Sequence, residues 1–400
     1  MKNPVPRAQG IKSQNKFILS FSGLTGESSS FFWIARSSRA MTQKNFMGCV
    51  KKSAIENWGN ILKDNKLIDG SSGVCPLGPS KKVKAAVRKA VKKINSGQHM
   101  GMDALTRLFE SKFRLSSEKV LFANSIKELI YLIPEVLRPA RVLVVGPALD
   151  IYEDAAQSAG AEVSYITAME TDGFAFDISC IWKDFQNMDL VFIANPNRIT
   201  GKMIPWEKIR EAITVTPSEC PHFVIDESLI EFTGSGDYCH DLIHTKKITL
   251  LRTTAYFYGV SRLELACAVS SPEFIQLYKK NARWDINLLS IEAARTAYKD
   301  STYGKAARQF TALEKKLILR MLAKIEWVRV YDTDTNVILI KIINKNSGIA
   351  AQQFKRAGLD IRDCSEIKGM DRSFFRISVM KHENNLKLIS ALNSLNRVMP

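Results

Sequence analysis

The 400-residue chain has no long uninterrupted apolar run. A membrane-spanning helix requires about 18 or more consecutive apolar residues, whereas here each apolar stretch soon ends at glycine, proline or a charged residue. We therefore expect no insertion into a membrane. With 46% hydrophobic and 24% charged residues, the composition is that of a globular protein long enough to form one large and one smaller domain.

The chain also lacks paired cysteines. Its seven cysteines are odd in number, scattered and without a CxxC pair, which argues against a disulfide framework and predicts reduced thiols in a cytoplasmic protein. The segment DYCHDLIH places His240 and His244 one helical turn apart beside Cys239 and Asp241. A metal could bind there, but a solvated helix end is the more common use of such a segment, so we predict no metal site.

Acidic residues are scarce at the start of the chain, where Glu27 is the only one in residues 1–40, although the net charge is +17 overall. We interpret residues 1–45 as a basic arm. Two alternatives remain open: a targeting segment, and translation begun upstream of Met41. The arm is left out of the fold prediction.

The segment 80–95, SKKVKAAVRKAVKKIN, has the pattern of an amphipathic helix. Val83, Val87, Val91 and Ile94 recur at helical spacing, which predicts an apolar face opposite the lysines. A solvated helix is the favoured interpretation. A polyanion-binding face is the alternative, and nucleic acid is not expected, because the basic stripe contains no aromatic residue.

From residue 118 onward, short β-rich runs alternate with helical patterns, which predicts an α/β fold with a mainly parallel seven-stranded sheet and helices on both faces. The last strand follows a short turn and is therefore expected to run antiparallel. We predict a large domain over 46–290 and a smaller α+β domain over 291–400, with 46–80 able to join either. The predicted strands are 118–123, 141–146, 162–167, 189–194, 222–227, 247–253 and 265–270.

Several ordered segments resemble the class I/II aminotransferases, which are pyridoxal-phosphate enzymes of fold type I. Within that family the chain resembles histidinol-phosphate aminotransferase and threonine-phosphate decarboxylase, an enzyme type of cobalamin biosynthesis. The resemblance implies a homodimer and a site for pyridoxal phosphate. The segments are SSGVCPLGP (71–79), FANSIKELI (122–130), GPALDIYEDAA (146–156), ANPNRITG (194–201), VIDESLIEF (224–232), LLRTTAYFYG (250–259) and FFRISVMKHENN (374–385).

Three residues match positions with defined roles in that family. The resemblance implies that Asp226 pairs with the pyridinium nitrogen, since a carboxylate there stabilises the protonated ring. It implies that Tyr152 stacks on the ring and that Arg376 clamps the substrate carboxylate with two hydrogen bonds. Arg362, in the same small domain, is a second candidate for an anionic substrate group.

Other positions depart from the family pattern where the chemistry occurs. Tyr256 stands at the position of the imine-forming lysine, three residues after Thr253, and tyrosine cannot form an imine. Glu264 stands where the family has the arginine that holds the cofactor phosphate, and a carboxylate would repel a phosphate dianion. Arg198 replaces the asparagine that hydrogen-bonds the ring's phenolic oxygen.

The phosphate cradle is also altered. The family uses small residues at a helix start so that backbone N–H groups approach the phosphate, and the matching residues here are Ser125, Ile126 and Lys127. Together with Thr253 these are the candidate phosphate-binding positions. Lys127 offers a positive charge in place of the missing arginine.

Three functional hypotheses follow. The first is a catalytically impaired homologue, in which Tyr256 and Glu264 have removed the chemistry and which acts beside an active paralogous subunit. The second is an active enzyme of altered mechanism that acts on an amino-acid phosphate with Lys127 or Lys202 as a base. It either holds pyridoxal phosphate noncovalently or binds a different anionic ligand at Asp226, Tyr152 and Arg376. The third is a non-enzymatic subunit that binds a polyanion or a protein through its basic amino-terminal third.

Overall fold

The structure is a computed structural model that describes residues 67–95, 101–178, 182–215, 221–234, 242–243, 247–343 and 346–398. The predicted basic arm, residues 1–45, lies outside the described residues. The possible metal ligands of the segment DYCHDLIH also lie outside the described residues: Cys239, His240, Asp241 and His244.

All seven strands predicted from the sequence are present and form one sheet in the order β2-β8-β7-β6-β5-β3-β4. Neighbouring strands from β4 to β7 run parallel. The last strand, β8, is antiparallel to both of its neighbours, as predicted. The strands are β2 (Val120–Ala123), β3 (Arg141–Gly146), β4 (Glu162–Thr167), β5 (Leu190–Ala194), β6 (His222–Asp226), β7 (Ile248–Thr253) and β8 (Ala266–Val269).

The central strands are apolar on both faces because helices cover both sides of the sheet. Successive residues alternate between two hydrophobic clusters: Leu143 and Val191 belong to one, and Val144 and Phe192 to the other. The helices before the small sheet are α1 (Lys81–Val91), α2 (Met102–Phe113), α3 (Ile126–Leu137), α4 (Ile151–Ser158), α5 (Trp182–Phe185), α6 (Trp206–Val215), α7 (Ile230–Thr233), α8 (Pro272–Asn281) and α9 (Leu288–Lys299).

The carboxyl-terminal part forms a four-stranded antiparallel sheet in the order β12-β13-β10-β9, packed with three helices around its own apolar cluster. A short strand from the amino-terminal side, β1 (Ile68–Asp69), pairs in parallel with β11 (Leu359–Asp360). The other elements are β9 (Val328–Val330), β10 (Val337–Ile342), β12 (Arg362–Asp363), β13 (Phe374–Ser378), α10 (Ser301–Leu322), α11 (Ser347–Arg356) and α12 (His382–Val398).

The prediction for the lysine-rich helix was right about the helix and wrong about half of its apolar face. Ser80 caps α1 by accepting a hydrogen bond from the Val83 N–H at 3.2 Å. Val83 is buried, but Val91 is 46% exposed and Ile94 is 67% exposed. Ile94 lies beyond the end of α1, so the periodicity of the sequence continues past the helix that it predicts.

Candidate functional site

The candidate site lies at the carboxyl edge of the large sheet. Asp226 is the last residue of β6 and Thr253 is the last residue of β7, and Arg198 lies in the loop that follows β5. Because parallel strands end at the same edge, the fold brings these distant residues together. The remaining parts of the site come from the starts of α3 and α4 and from the small sheet.

Asp226 is the centre of a buried polar group. Its carboxylate is 1% exposed, and one oxygen, Oδ2, accepts a 2.6 Å hydrogen bond from the Tyr152 hydroxyl. The other oxygen accepts hydrogen bonds from the Ser228 N–H, at 2.8 Å, and from the Ser228 hydroxyl. The guanidinium of Arg198 lies 3.8 Å from Oδ2. We call Asp226, Tyr152, Ser228, Arg198 and Tyr256 the Asp226 cluster.

Arg198 joins Asp226 to Tyr256. Its Nη2 donates a hydrogen bond to the Tyr256 hydroxyl, and its guanidinium carbon lies 4.8 Å from the centroid of the Tyr256 ring. Burial opposes the charge of Arg198, but the neighbouring Tyr256 and Asp226 raise its pKa, so it stays a cation. Burial raises the pKa of Tyr256, which keeps that side chain a neutral phenol.

Tyr152 reaches the site with its hydroxyl. The side chain lies on α4, is 1% exposed, and packs with its ring centroid 5.3 Å from that of Phe192 in the core. Burial and the charge of Asp226 raise the pKa of Tyr152, so the hydroxyl remains a donor to that carboxylate. The stacking role that the resemblance implied stays a prediction; the contact in the structure is a hydrogen bond.

Glu264 lies at the start of α3, where the resemblance predicted a phosphate. Its Oε1 accepts a 3.0 Å hydrogen bond from the Ile126 N–H and a 2.6 Å hydrogen bond from the Thr253 hydroxyl. A carboxylate is favoured at a helix amino terminus, because the N–H groups and the helix dipole point towards it. Burial raises the pKa of Glu264, while these two donors act to lower it. We call this arrangement the Glu264 cap.

Ser125 caps the start of α3 but makes no contact that belongs to the Glu264 cap. Its hydroxyl accepts a 3.3 Å hydrogen bond from the Glu128 N–H, which is the usual role of a serine at the residue before a helix. Ile126 is buried and contributes its backbone N–H to Glu264. Phosphate binding by Ser125, Ile126 and Thr253 stays a prediction.

The two lysines proposed as substitutes are engaged elsewhere. Lys127 is exposed, and its amine lies 5.7 Å from the centroid of the Tyr131 ring, one helical turn further along α3. The amine of Lys202 lies 2.6 Å from the Asp332 carboxylate. Both partners are outside the Asp226 cluster and the Glu264 cap.

The segment 71–79 covers the turn that carries Tyr256. The Cys75 N–H donates to the Tyr256 carbonyl at 2.8 Å. Gly259 has a φ of +67°, and a Cβ at this position would lie 2.7 Å from the backbone of Gly78. Glycine is required there both by the backbone conformation and by the close approach of the two segments.

Arg376 reaches the site from β13 of the small sheet. It is 7% exposed, and its Nη1 donates to the Arg198 carbonyl at 2.8 Å while Nη2 donates to the Ser71 carbonyl. Its Nε is buried without a hydrogen-bond partner, and no carboxylate within the described ranges forms an ion pair with it. Burial, followed by the charge of Arg198, lowers the pKa of Arg376 to about 10.

Arg362 lies beside Arg376, because the two residues are paired across β12 and β13. Its Nε is also buried without a hydrogen-bond partner. Ser71 and Arg362 both line an open surface pocket of about 410 Å³. We call Arg362 and Arg376 the arginine pair. Two neighbouring cations with unused donors favour an anion.

The residues at the cofactor position do not fit pyridoxal phosphate. Tyr256 cannot form an imine, and its hydroxyl already accepts from Arg198. The Ile126 N–H and the Thr253 hydroxyl, which would face a phosphate, donate to Glu264. Both oxygens of Asp226 have donors within the protein. Ile126, Thr253, Asp226 and Tyr256 are therefore engaged by other residues of the chain.

The sequence marks Arg198 and Glu264 as departures from the family pattern but does not reveal their hydrogen-bond partners. It also missed Ser228, although a serine two residues after an aspartate is the spacing of a local turn closed by the aspartate side chain. The described cysteines, Cys75, Cys267 and Cys364, are free and buried.

Within the described ranges, no cluster of side chains suits a metal ion. The helices of those ranges include none with the length and apolar character needed to cross a membrane.

Comparisons with known proteins agree on the family. The chain is 27% identical to histidinol-phosphate aminotransferase 2 of Archaeoglobus fulgidus over 336 residues, which is 83% of this chain and 94% of the relative. It is 23% identical to the threonine-phosphate decarboxylase of Salmonella typhimurium over 344 residues, 84% of this chain and 92% of the relative.

A solved structure gives the same result for the fold. The histidinol-phosphate aminotransferase of Clostridium acetobutylicum superposes with a TM-score of 0.78 at 23% identity, covering 83% of this chain and 100% of that one. The fold is therefore that of the fold type I aminotransferases. The family model for aminotransferase class I and II matches residues 65–392. The chain therefore belongs to the class I and II aminotransferase family.

Proposed function

We propose that this chain is a catalytically impaired member of its pyridoxal-phosphate-dependent family. The proposal rests on Tyr256, which the resemblance puts at the position of the imine-forming lysine and whose hydroxyl accepts a hydrogen bond from Arg198. Tyrosine has no amine, so the internal imine of the family has no counterpart at this position. The partners of Lys127 and Lys202 argue against either lysine as a replacement.

The same proposal assigns an anion site to the arginine pair. Arg376 is buried, charged, and bound by two backbone carbonyls, and its Nε has no partner. A carboxylate would supply the countercharge that the described part of the chain does not. Relatives include a threonine-phosphate decarboxylase and histidinol-phosphate aminotransferases. We infer that the ligand is a small carboxylate or an amino-acid phosphate.

The test begins with the wild-type protein and pyridoxal phosphate. The absorption spectrum is recorded, the sample is reduced with borohydride, and modified residues are mapped by mass spectrometry. We expect no stoichiometric pyridoxyl-lysine. A single lysine modified once per chain would contradict the proposal and would identify the replacement residue.

A homodimer and a cytoplasmic location stay predictions. The family resemblance supports the dimer, which size-exclusion chromatography with light scattering would test. An active paralogous subunit as partner is part of the same hypothesis. It would be tested by mixing the two purified chains and measuring whether they elute together.

A further inference from the structure

We propose that Arg198 and Glu264 exclude pyridoxal phosphate from this site by filling the cofactor position from within, independently of the missing lysine. This inference deepens the proposed function and rests on it: the site has not merely lost the imine but has been rebuilt into a closed charge network. It predicts that restoring the lysine alone leaves the cofactor unbound.

The Glu264 cap occupies the place of the cofactor phosphate. An anion belongs at the start of α3, and the chain supplies its own in the carboxylate of Glu264. The Thr253 hydroxyl, which ends β7, donates to the same oxygen at 2.6 Å. A phosphate dianion entering here would have to displace two hydrogen bonds and would meet a like charge at contact distance.

Arg198 lies where the cofactor ring would meet Asp226. Its guanidinium lies 3.8 Å from Asp226, the carboxylate that the resemblance assigns to the pyridinium nitrogen. Its side chain is only 12% exposed, and it also donates to Tyr256. A protonated ring nitrogen on Asp226 would be placed against this permanent cation, and like charges repel most strongly where solvent is excluded.

Arg198 links the Asp226 cluster and the Glu264 cap electrostatically. The negative charges of both Asp226 and Glu264 favour its protonated form. The network therefore places one cation among two carboxylates and fixes each by hydrogen bonds within the chain. Buried charges are tolerated when they are paired and hydrogen-bonded, so this arrangement is complete without a cofactor.

The experiment compares three variants. The first is Tyr256→Lys alone. The second, Arg198→Asn with Glu264→Arg, restores the residue types that the family uses at these positions but leaves Tyr256 in place. The third combines all three substitutions. Each is incubated with pyridoxal phosphate, binding is measured by equilibrium dialysis, and the samples are reduced with borohydride and mapped.

We expect the single Tyr256→Lys variant to bind as little cofactor as the wild type. The double variant should gain noncovalent affinity of at least about a hundredfold, because a like charge at the phosphate position becomes an opposite charge. The triple variant should add a pyridoxyl group at position 256. Equal labelling of the single and triple variants at position 256 would overturn the inference, while the wild-type protein would still lack the imine.

A milder variant guards against failure to fold. Glu264→Gln keeps the shape of the side chain and removes its charge, and inorganic phosphate is the probe. We expect the phosphate-dependent rise in melting temperature to be larger for Glu264→Gln than for the wild type, in which phosphate reaches the arginine pair alone. An equal rise in both proteins when the variant melts cooperatively, or tight noncovalent binding of pyridoxal phosphate by the wild type, would overturn the inference. A wild-type pyridoxyl-lysine would instead contradict the proposed function.

Discussion

The Asp226 cluster and the arginine pair both bury charge at one site, but they differ in how that charge is compensated. In the Asp226 cluster, Asp226 faces Arg198 and receives hydrogen bonds from Tyr152 and Ser228. In the arginine pair, Arg376 is held by two backbone carbonyls and has no ion-pair partner within the described ranges. The Asp226 cluster therefore pairs its charges within the chain, whereas Arg376 has no such pair.

This difference separates the charges that are paired within the chain from the charge that is not. A buried network whose members satisfy each other has little to gain from a ligand. A buried cation with an unused donor has much to gain, since an anion offsets its desolvation. From this contrast we predict that the Asp226 cluster does not admit pyridoxal phosphate and that the arginine pair still binds an anion.

The largest expected effect comes from opening the Asp226 cluster. Arg198→Ala leaves the buried Asp226 without its cation, and we expect a loss of about 3 kcal/mol in the free energy of unfolding, as for other broken buried pairs. Urea unfolding measures it. The matched control is the double variant Arg198→Ala with Asp226→Asn, which should recover part of the loss. A change below about 0.5 kcal/mol in the single variant would show that the cluster is not a stabilising pair.

The arginine pair should respond to ligand more than to mutation. Saturating L-threonine O-phosphate should stabilise the wild type by about 2 to 3 kcal/mol at roughly a hundred times its dissociation constant. Arg376→Gln should abolish this stabilisation, because the countercharge is gone. Arg372→Gln, an exposed arginine just before the same strand, is the control and should behave as the wild type. Equal stabilisation of both variants would remove the anion site from the account.

Glu264 should make the stability of the protein depend on pH. Its pKa is raised by burial, so the folded protein holds this proton more tightly than the unfolded chain. The contribution of Glu264 to the free energy of unfolding is therefore full below the pKa that Glu264 has in the unfolded chain. It declines as pH rises through the pKa of Glu264 in the folded protein, by no more than about 1.4 kcal/mol per pH unit. Glu264→Gln should remove this decline. Parallel stability curves for both proteins between pH 4 and pH 8 would contradict the assignment.

The smallest effect is expected at Lys202. Its pair with Asp332 is made by a carboxylate whose side chain is 77% exposed, and such pairs contribute about 0.5 kcal/mol. Lys202→Met should therefore lower stability slightly and leave the spectrum with pyridoxal phosphate unchanged. If the wild type shows a cofactor band that Lys202→Met loses, Lys202 takes part in the chemistry after all.

The large sheet could be read from the sequence because its strands are short apolar runs separated by helical patterns. The run 141–146 became β3 with the same bounds, since burial on both faces selects for continuous apolar residues. The face of α1 was less predictable: periodicity indicates which residues align, but whether Val91 is covered depends on neighbouring elements.

The sequence indicates which residues are candidates for the site, but it does not indicate their contacts. Asp226, Arg376 and the start of α3 follow from motif order. The hydrogen bond from Ile126 to Glu264 joins residues 138 positions apart, and that of Arg198 to Tyr256 joins residues 58 apart. A substitution identifies a lost interaction, whereas the replacement interaction depends on loop geometry that local sequence does not determine.

The most direct test of the account is a crystal structure of the wild-type protein grown with excess pyridoxal phosphate. The account predicts the Glu264 carboxylate on the Ile126 N–H and the Thr253 hydroxyl, with Arg198 between Asp226 and Tyr256. Density for a phosphate at the start of α3, with Arg198 turned away from Asp226, would contradict it.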